Sequence, residues 1–329
     1  MKRHYPGKIP LRDSACRGQC SVQRIDPEQE REGGRNRREI IFSVIVSLNL
    51  FTASLLFVFP SVGEAIAVMR QSELMLSYDS SYSQFSEEEA GKILFEAEAY
   101  NRRIAEEQEV CAFTYRGEES EDEVYESVLN ISDGGIMCDL EIPDINVRLP
   151  VAHGTSEEVL MYECGHIRGS SLPVGGESTH AVIAAHTGLV TAELFTRLTE
   201  LSEGSLFYIR MLGKVHTYRV CRILTVSSGE EFEWLQVEKG KDLVTLYTCT
   251  PCGINDHRLL VTGERIFPDP GAENDEAGTA AERKKEAGKR LFLFILIPVC
   301  IFLLGIRRTT QLIGPAMKDR HKLSTEKGW

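Results

Sequence analysis

The chain has 329 residues, with 37 Lys and Arg against 49 Asp and Glu, a formal charge of −12. Hydrophobic residues make up 42% and charged residues 26%, which excludes global disorder. The net acidity excludes a nucleic-acid binder with a basic face, and no sustained heptad, triplet or longer period suggests a coiled coil, collagen or repeat array.

Residues 1–39 read as a basic tail, with Cys16 and Cys20 as solvated thiols. Residues 40–60 follow as a transmembrane helix, because Ile40 to Phe59 carries no charge over 20 positions. As a helix that run spans roughly 30 Å, the thickness of a bilayer's hydrocarbon core. Arg31, Arg35, Arg37 and Arg38 precede it, whereas Glu64 and the single nearby base Arg70 follow it. This imbalance keeps the N-terminus in the cytoplasm and sends the next segment outside.

Residues 61–130 read as an acidic helical and loop segment. Ser86 followed by Glu89 forms a capping box, and Ile93, Ala97, Tyr100 and Ile104 make a helical stripe. Between Ser86 and Glu126 there are 14 acids and 4 bases. From Gly135 the pattern changes to short apolar or alternating runs: IMCDLEIP, INVRLPVAHG, HAVIAAHTG, SLFYIRM, VHTYRVCRILTV, DLVTLYTC and HRLLVTGERI. Leu212-Gly213-Lys214 marks a hairpin turn between two of them. A helix is expected only over Thr191 to Leu201, with Leu194, Leu198 and Leu201 on one face. Residues 131–267 therefore form a mainly β domain, closed as a barrel or stacked as a sandwich.

Residues 268–290, rich in Asp, Glu, Gly and Ala, read as a linker. Residues 291–306 form a second transmembrane helix with Cys300 and Pro298 inside it, and residues 307–329 a second cytoplasmic tail with Arg307, Arg308, Lys318, Arg320 and Lys322. Arg283, Lys284, Lys285, Lys289 and Arg290 run against this orientation, since it leaves them outside.

Six cysteines fall in the extracytoplasmic part, where disulfides are possible: Cys111, Cys138, Cys164, Cys221, Cys249 and Cys252. Cys138 and Cys221 read as small core residues of strands. Cys249 ends a strong strand ahead of Thr250-Pro251-Cys252-Gly253, which puts its thiol at a reachable sheet rim. Arg258 opens the next strand nine residues on, and an antiparallel return brings the two ends together. A guanidinium beside a thiol lowers its pKa and can hold an oxyanion, although an arginine in that place can also simply cap a strand. For the proton donor and acceptor, His186, at a strand end beside Gly188, is favoured over His257; His153, His166, His180 and His216 read as structural.

Thr245-Leu246-Tyr247-Thr248-Cys249 resembles the TLxTC signature of sortases. Thr248 to Arg265, TCTPCGINDHRLLVTGER, is similar to the active-site strand and loop of class C, pilus-type sortases, as are LPVAHGTSEEVL, GHIRGSSLPVGG and HAVIAAHTGL upstream. The similarity covers roughly Ile136 to Ile266, and paired terminal membrane helices suit the class. It implies a closed eight-stranded sortase-type β-barrel with an N-terminal helix and flanking transmembrane helices. It implies a two-pass membrane cysteine transpeptidase of a Gram-positive cell, acting outside on LPxTG-like sorting signals of surface proteins, chiefly pilins. By motif, Cys249 is then the nucleophile, His186 the general acid/base and Arg258 the oxyanion and substrate stabiliser. No cofactor, metal or nucleic-acid partner is implied.

Two departures stand out. Class C members often carry an Asp-Pro-aromatic lid; none occurs between Ser86 and Gly135, so either the lid is absent or the loop from Tyr115 to Tyr125 plays that part with different chemistry. The residue three after the nucleophile is commonly aromatic and here is Cys252, which creates a C-x-x-C pair. That pair leaves open a reversible Cys249–Cys252 disulfide, and as a rival function an extracytoplasmic thiol–disulfide oxidoreductase. A sortase that anchors proteins to the cell wall, rather than one that polymerises pilins, is the other alternative.

Overall fold

The computed structural model describes residues 27–110, 123–132, 134–267 and 280–325. The chain divides into two units, Met1–Leu50 with Phe302–Trp329, and Phe51–Ile301. The first unit consists, among the described residues, of helix, apolar over 40–50 and 302–306. There Gly305 admits the Ser47 side chain to a distance that a Cβ would obstruct, as small residues do where membrane helices pack.

Helix α1, Pro27–Tyr82, runs through Pro60 without a break, far beyond the apolar run that predicts it. Two helices are long and apolar enough to cross a membrane, Arg37–Tyr82 and Ala281–Arg308. Within the second unit α1 buries Ala65, Ala67, Met75 and Tyr78. Gln71 donates from Nε2 to the Tyr162 carbonyl at 2.7 Å, and the Leu212 amide donates to Tyr78 Oη at 3.1 Å.

Helix α2, Glu87–Val110, opens with the expected capping box: Ser86 N donates to Glu89 Oε2 at 2.8 Å, and Glu89 N to Ser86 Oγ at 3.2 Å. Its stripe of Ala97, Tyr100 and Ile104 is buried. Asn101 imitates a strand on its flank, donating to the Leu172 carbonyl (3.0 Å) and accepting from the Leu172 amide (2.7 Å). Residues 111–122, most of the expected lid segment, lie outside the described residues, as do Cys16, Cys20, Cys111 and residues 268–279. The far end of that segment is not at a rim. Tyr125, in the short helix α3 (Glu123–Ser127), is fully buried and bonds His166 Nδ1 at 3.0 Å.

Eight strands close the barrel in the order β1-β2-β3-β4-β7-β8-β6-β5. They are β1 Ile136–Ile142, β2 Val147–His153, β3 Cys164–His166, β4 Thr179–Ala184, β5 Leu206–Met211, β6 Lys214–Ser227, β7 Asp242–Thr250 and β8 His257–Arg265. A one-turn helix α4, Glu157–Leu160, links β2 to the parallel β3. The three-residue β3 was not anticipated; it is too short for a period to register. The β5–β6 turn is as expected, two residues long, with Leu212 at φ 43° and Gly213 at φ 72°, the pair of positive angles that a type I′ turn requires.

Strand alternation builds two cores. Ile183, Phe207, Ile209, Tyr218, Val244, Leu246 and Val261 point into the barrel and join the main cluster. Val182, Ala184 and Leu260 face outward and would be wet, but Leu235 and Phe232 of the β6–β7 connection fold over them as a second cluster.

Three expectations need correction. Thr191 to Leu201 is not an α-helix; only Leu198–Glu200 makes a 3₁₀ turn. Leu194 has φ 39°, and the Phe195 amide donates to the His186 carbonyl (3.1 Å) instead of to a helical neighbour, although Leu194, Leu198 and Leu201 are buried as the spacing suggests. Cys221 is exposed, because a register shift between Val220 and Arg222 turns it outward. Residues 280–290 are helical, being the opening of α5, Ala280–Thr325. Two of the five bases that ran against the membrane orientation are engaged by the domain: Arg283 donates to the Arg148 carbonyl (3.3 Å) and Lys284 pairs with Glu73 (3.6 Å).

Two buried imidazoles tie the connections down. His166 Nε2 lies 2.8 Å from the Ser171 carbonyl oxygen, while His180 bridges the Gln236 carbonyl and Thr245 Oγ1, each at 2.7 Å. Burial pushes both down to about 4, against an ordinary value near 6.5. Between those values the unfolded chain takes up protons that the folded one refuses. Their contribution is complete above about pH 6.5 and is lost as the pH falls toward 4, on the order of a few kcal/mol in all. The urea midpoint of the purified full-length protein should therefore fall between pH 7 and pH 4.5, and His180→Gln should flatten that slope.

Candidate active site

The site gathers residues of two paired strands and the end of a third. In the antiparallel β7–β8 pair Cys249 stands directly opposite Arg258, which sets their side chains on one face. On the other flank β4 runs parallel to β7, with Ala184 opposite Tyr247. The Ala185 amide donates to the Tyr247 carbonyl (3.1 Å) and Thr248 Oγ1 to the Ala185 carbonyl (2.7 Å). His186 lies two residues past the end of β4, just beyond the last Ala184–Tyr247 pair. Cys249 and Arg258 thus face each other at one end of the outer face, and His186 follows the end of the strand on the other side of β7.

Each is held by its surroundings. The His186 carbonyl accepts from Phe195, which is itself buried, and Gly188 N donates to Thr196 Oγ1 (2.9 Å), so the connection after β4 is pinned. Gly188 has φ 71°, and a Cβ on it would lie 2.0 Å from Cys252 Sγ. Cys252 therefore packs on the bare glycine beside His186. Cys249 is half-buried, and Cys249 and Cys252 are both free thiols. His257 falls opposite Thr250, one residue out of phase with Arg258, so alternation turns it to the other face. It pairs there with Asp256 at 2.7 Å.

Arg258 has supports that no sequence pattern announces. Its Nε donates to Tyr247 Oη (2.8 Å), and Nη1 donates to the carbonyls of Asn255 (2.9 Å) and His257 (3.0 Å). Tyr247 Oη donates in turn to Oε1 of the buried Glu231 (3.0 Å). Burial works against the Arg258 charge, but the neighbouring Tyr247, Cys249 and Glu231 outweigh it and hold the guanidinium above its ordinary value. Tyr247 stands two residues before Cys249, a same-face position that strand alternation predicts. Glu231 comes from the β6–β7 connection, for which the sequence carries no such signal. Among the described residues no group of His, Cys, Asp and Glu is placed to hold a metal ion.

The Sortase domain family model matches residues 140–266. The crystal structure of sortase C1 from Streptococcus agalactiae is 38% identical, with a TM-score of 0.56, over 60% of this chain and 100% of that one. The chain belongs to the sortase family. Sortase C1 structures among its neighbours set it in class C. A lid mutant of sortase A from Corynebacterium diphtheriae is also similar, 34% identical with a TM-score of 0.52 over 56% of this chain and 98% of that one. Among curated sortases, Sortase A of Streptococcus agalactiae serotype III (strain NEM316) is 30% identical over 149 residues, 44% of this chain and 59% of that protein. Sortase D of Bacillus subtilis (strain 168) is 28% identical over 130 residues, 39% and 62%. The chain spans about three fifths of the length of these curated relatives.

Burial sorts this sortase's thiols. Desolvation raises the thiols of Cys138 and Cys164 well above the ordinary range, whereas Cys249 and Cys252 reach solvent. A water-soluble alkylating reagent, followed by peptide mapping of the native protein, should label Cys249, Cys252 and the outward Cys221. Cys138 and Cys164 should stay protected until the barrel is unfolded.

Proposed function

We propose that this sortase is a membrane-anchored cysteine transpeptidase. It cleaves an LPxTG-like sorting signal between Thr and Gly and passes the acyl group to an amine, a pilin Lys side chain, to assemble pili. The single observation that carries the reading is the row in which Cys249 faces Arg258 across β7 and β8, with His186 two residues past the end of the neighbouring β4. A neighbouring structure described as sortase C1 of GBS Pilus Island 1 supports pilins as substrates.

The chemistry follows from that row. The Cys249 thiolate attacks the Thr carbonyl carbon, and the resulting oxyanion forms beside the Arg258 guanidinium. His186 delivers its proton to the departing Gly amine, leaving a thioester on Cys249. An incoming amine gives its proton to His186 and expels the thiolate, closing an amide or isopeptide bond; water in its place gives hydrolysis. Two apolar helices support a two-pass protein whose catalytic unit is extracytoplasmic with both tails inside. The contacts of Arg283 and Lys284 with that unit support their lying on its side of the bilayer.

The oxidoreductase reading of Cys249 and Cys252 finds no support in the local structure. The pair sits at a strand end and a turn, not at a helix N-terminus, where a C-x-x-C thiol gains its low pKa.

Cys249→Ala is expected to abolish cleavage of an LPxTG-type peptide, while Cys252→Ala retains it. Full turnover by Cys249→Ala would refute the assignment. His186→Ala and Arg258→Ala should each lower kcat/KM by about 10²-fold or more, and His257→Ala by only a few-fold. Mass spectrometry of a slowly resolved peptide substrate should find the thioester on Cys249.

A further inference from the structure

The Arg258 guanidinium is held in a directed chain. Its Nε–H donates to the Tyr247 phenol, and that phenol donates to the Glu231 carboxylate, which also accepts from the Gly229 amide. A phenol whose hydrogen is committed to a carboxylate is the better acceptor, so the carboxylate strengthens the Tyr247–Arg258 link. Glu231 is 3% exposed, and its charge is compensated through this chain. Oε1 of Glu231 lies 3.9 Å from Arg258 Nε, with the Tyr247 oxygen hydrogen-bonded to both. Without that oxygen, a direct ion pair would draw the guanidinium onto the carboxylate. With it, Nε and Nη1 are occupied, and Nη2 has no protein partner among the described residues. The strand register makes Cys249 the residue opposite, and Tyr247 lies diagonally behind on the same face.

We propose that Tyr247 is a positioning residue for Arg258. Its phenol, polarised by the buried Glu231, spaces the guanidinium away from the carboxylate and keeps the rest of the fork on the Cys249 side. There it serves the thiolate and then the oxyanion. The inference rests on the assignment of Cys249 and Arg258 made above, and it assigns Tyr247 and Glu231 no contact with substrate.

The test is the pH profile of Cys249 alkylation by iodoacetamide in the full-length protein, which needs no sorting signal, beside kcat on an LPxTG-type peptide. Arg258→Ala should move the alkylation midpoint up by about one pH unit, since a guanidinium near a thiolate favours the anion. Tyr247→Phe keeps the ring and loses the oxygen. It should move the midpoint the same way by about half as much, and lower kcat by about 10- to 100-fold. The double variant Tyr247→Phe/Arg258→Ala should shift no further than Arg258→Ala alone. Continued protection of Cys138 and Cys164 in the same peptide maps shows that the fold is intact. Glu231→Gln supplies the second variant. It should lower kcat as Tyr247→Phe does, and the two losses combined should not exceed the larger.

A Tyr247→Phe profile that overlays the wild type while Arg258→Ala shifts would overturn the positioning role. Multiplying losses in Tyr247→Phe/Glu231→Gln would break the chain between phenol and carboxylate. An Arg258→Ala profile that does not move would instead remove Arg258 from the site, and the inference with it.

Discussion

The whole site hangs on the hydrogen-bond register of one strand with its two neighbours. β7 is parallel to β4 on one side and antiparallel to β8 on the other, and a one-residue slip on either side would turn a reactive side chain to the wrong face. The closed barrel is what forbids such a slip. Every strand has two partners, and the inward residues of β4, β7 and β8, such as Ile183, Leu246 and Val261, lock into a shared interior. The chemistry is therefore placed by main-chain bonds and apolar packing, with polar side chains making the final adjustments.

Those adjustments come from outside the barrel. The outer face of β4, β7 and β8 would ordinarily meet water, but the β6–β7 connection covers it with Leu235 and Phe232. The same connection brings Glu231 to Tyr247 and anchors Gln236 to His180. α2 reaches over as well, with Gln108 bonding the Gly169 carbonyl and the Val237 amide. Cover, carboxylate and tether arrive on a single stretch of chain, so the site's electrostatics and the burial of its supporting face are set together.

Much of this could be read from the residues, and the exceptions have physical causes. Alternating runs marked the long strands because a half-buried strand imposes a period of two. The Ser86–Glu89 box and the Ala97–Tyr100–Ile104 stripe marked α2 because caps and stripes are local. β3 escaped because three residues carry no period. Thr191 to Leu201 misled because leucine spacing reports which residues are buried, while Leu194 at positive φ and the Phe195–His186 bond decide the backbone. The facing strand-end positions of Cys249 and Arg258 were legible from the alternating runs, while the roles given to them and to His186 rest on motif. Glu231 was not, because a loop residue's partner is chosen by tertiary folding.

The hydrogen bond from the Leu212 amide to Tyr78 bears on how this enzyme can be handled in solution. The second half of α1 looks like a mere stalk, yet its tyrosine satisfies an amide at the tight β5–β6 turn, and Tyr82 crowds Gly213 beside it. A soluble form trimmed after Tyr82 would strand the amide of the buried Leu212 without its acceptor. Trimming before residue 61 removes most of the apolar run and leaves the clasp in place.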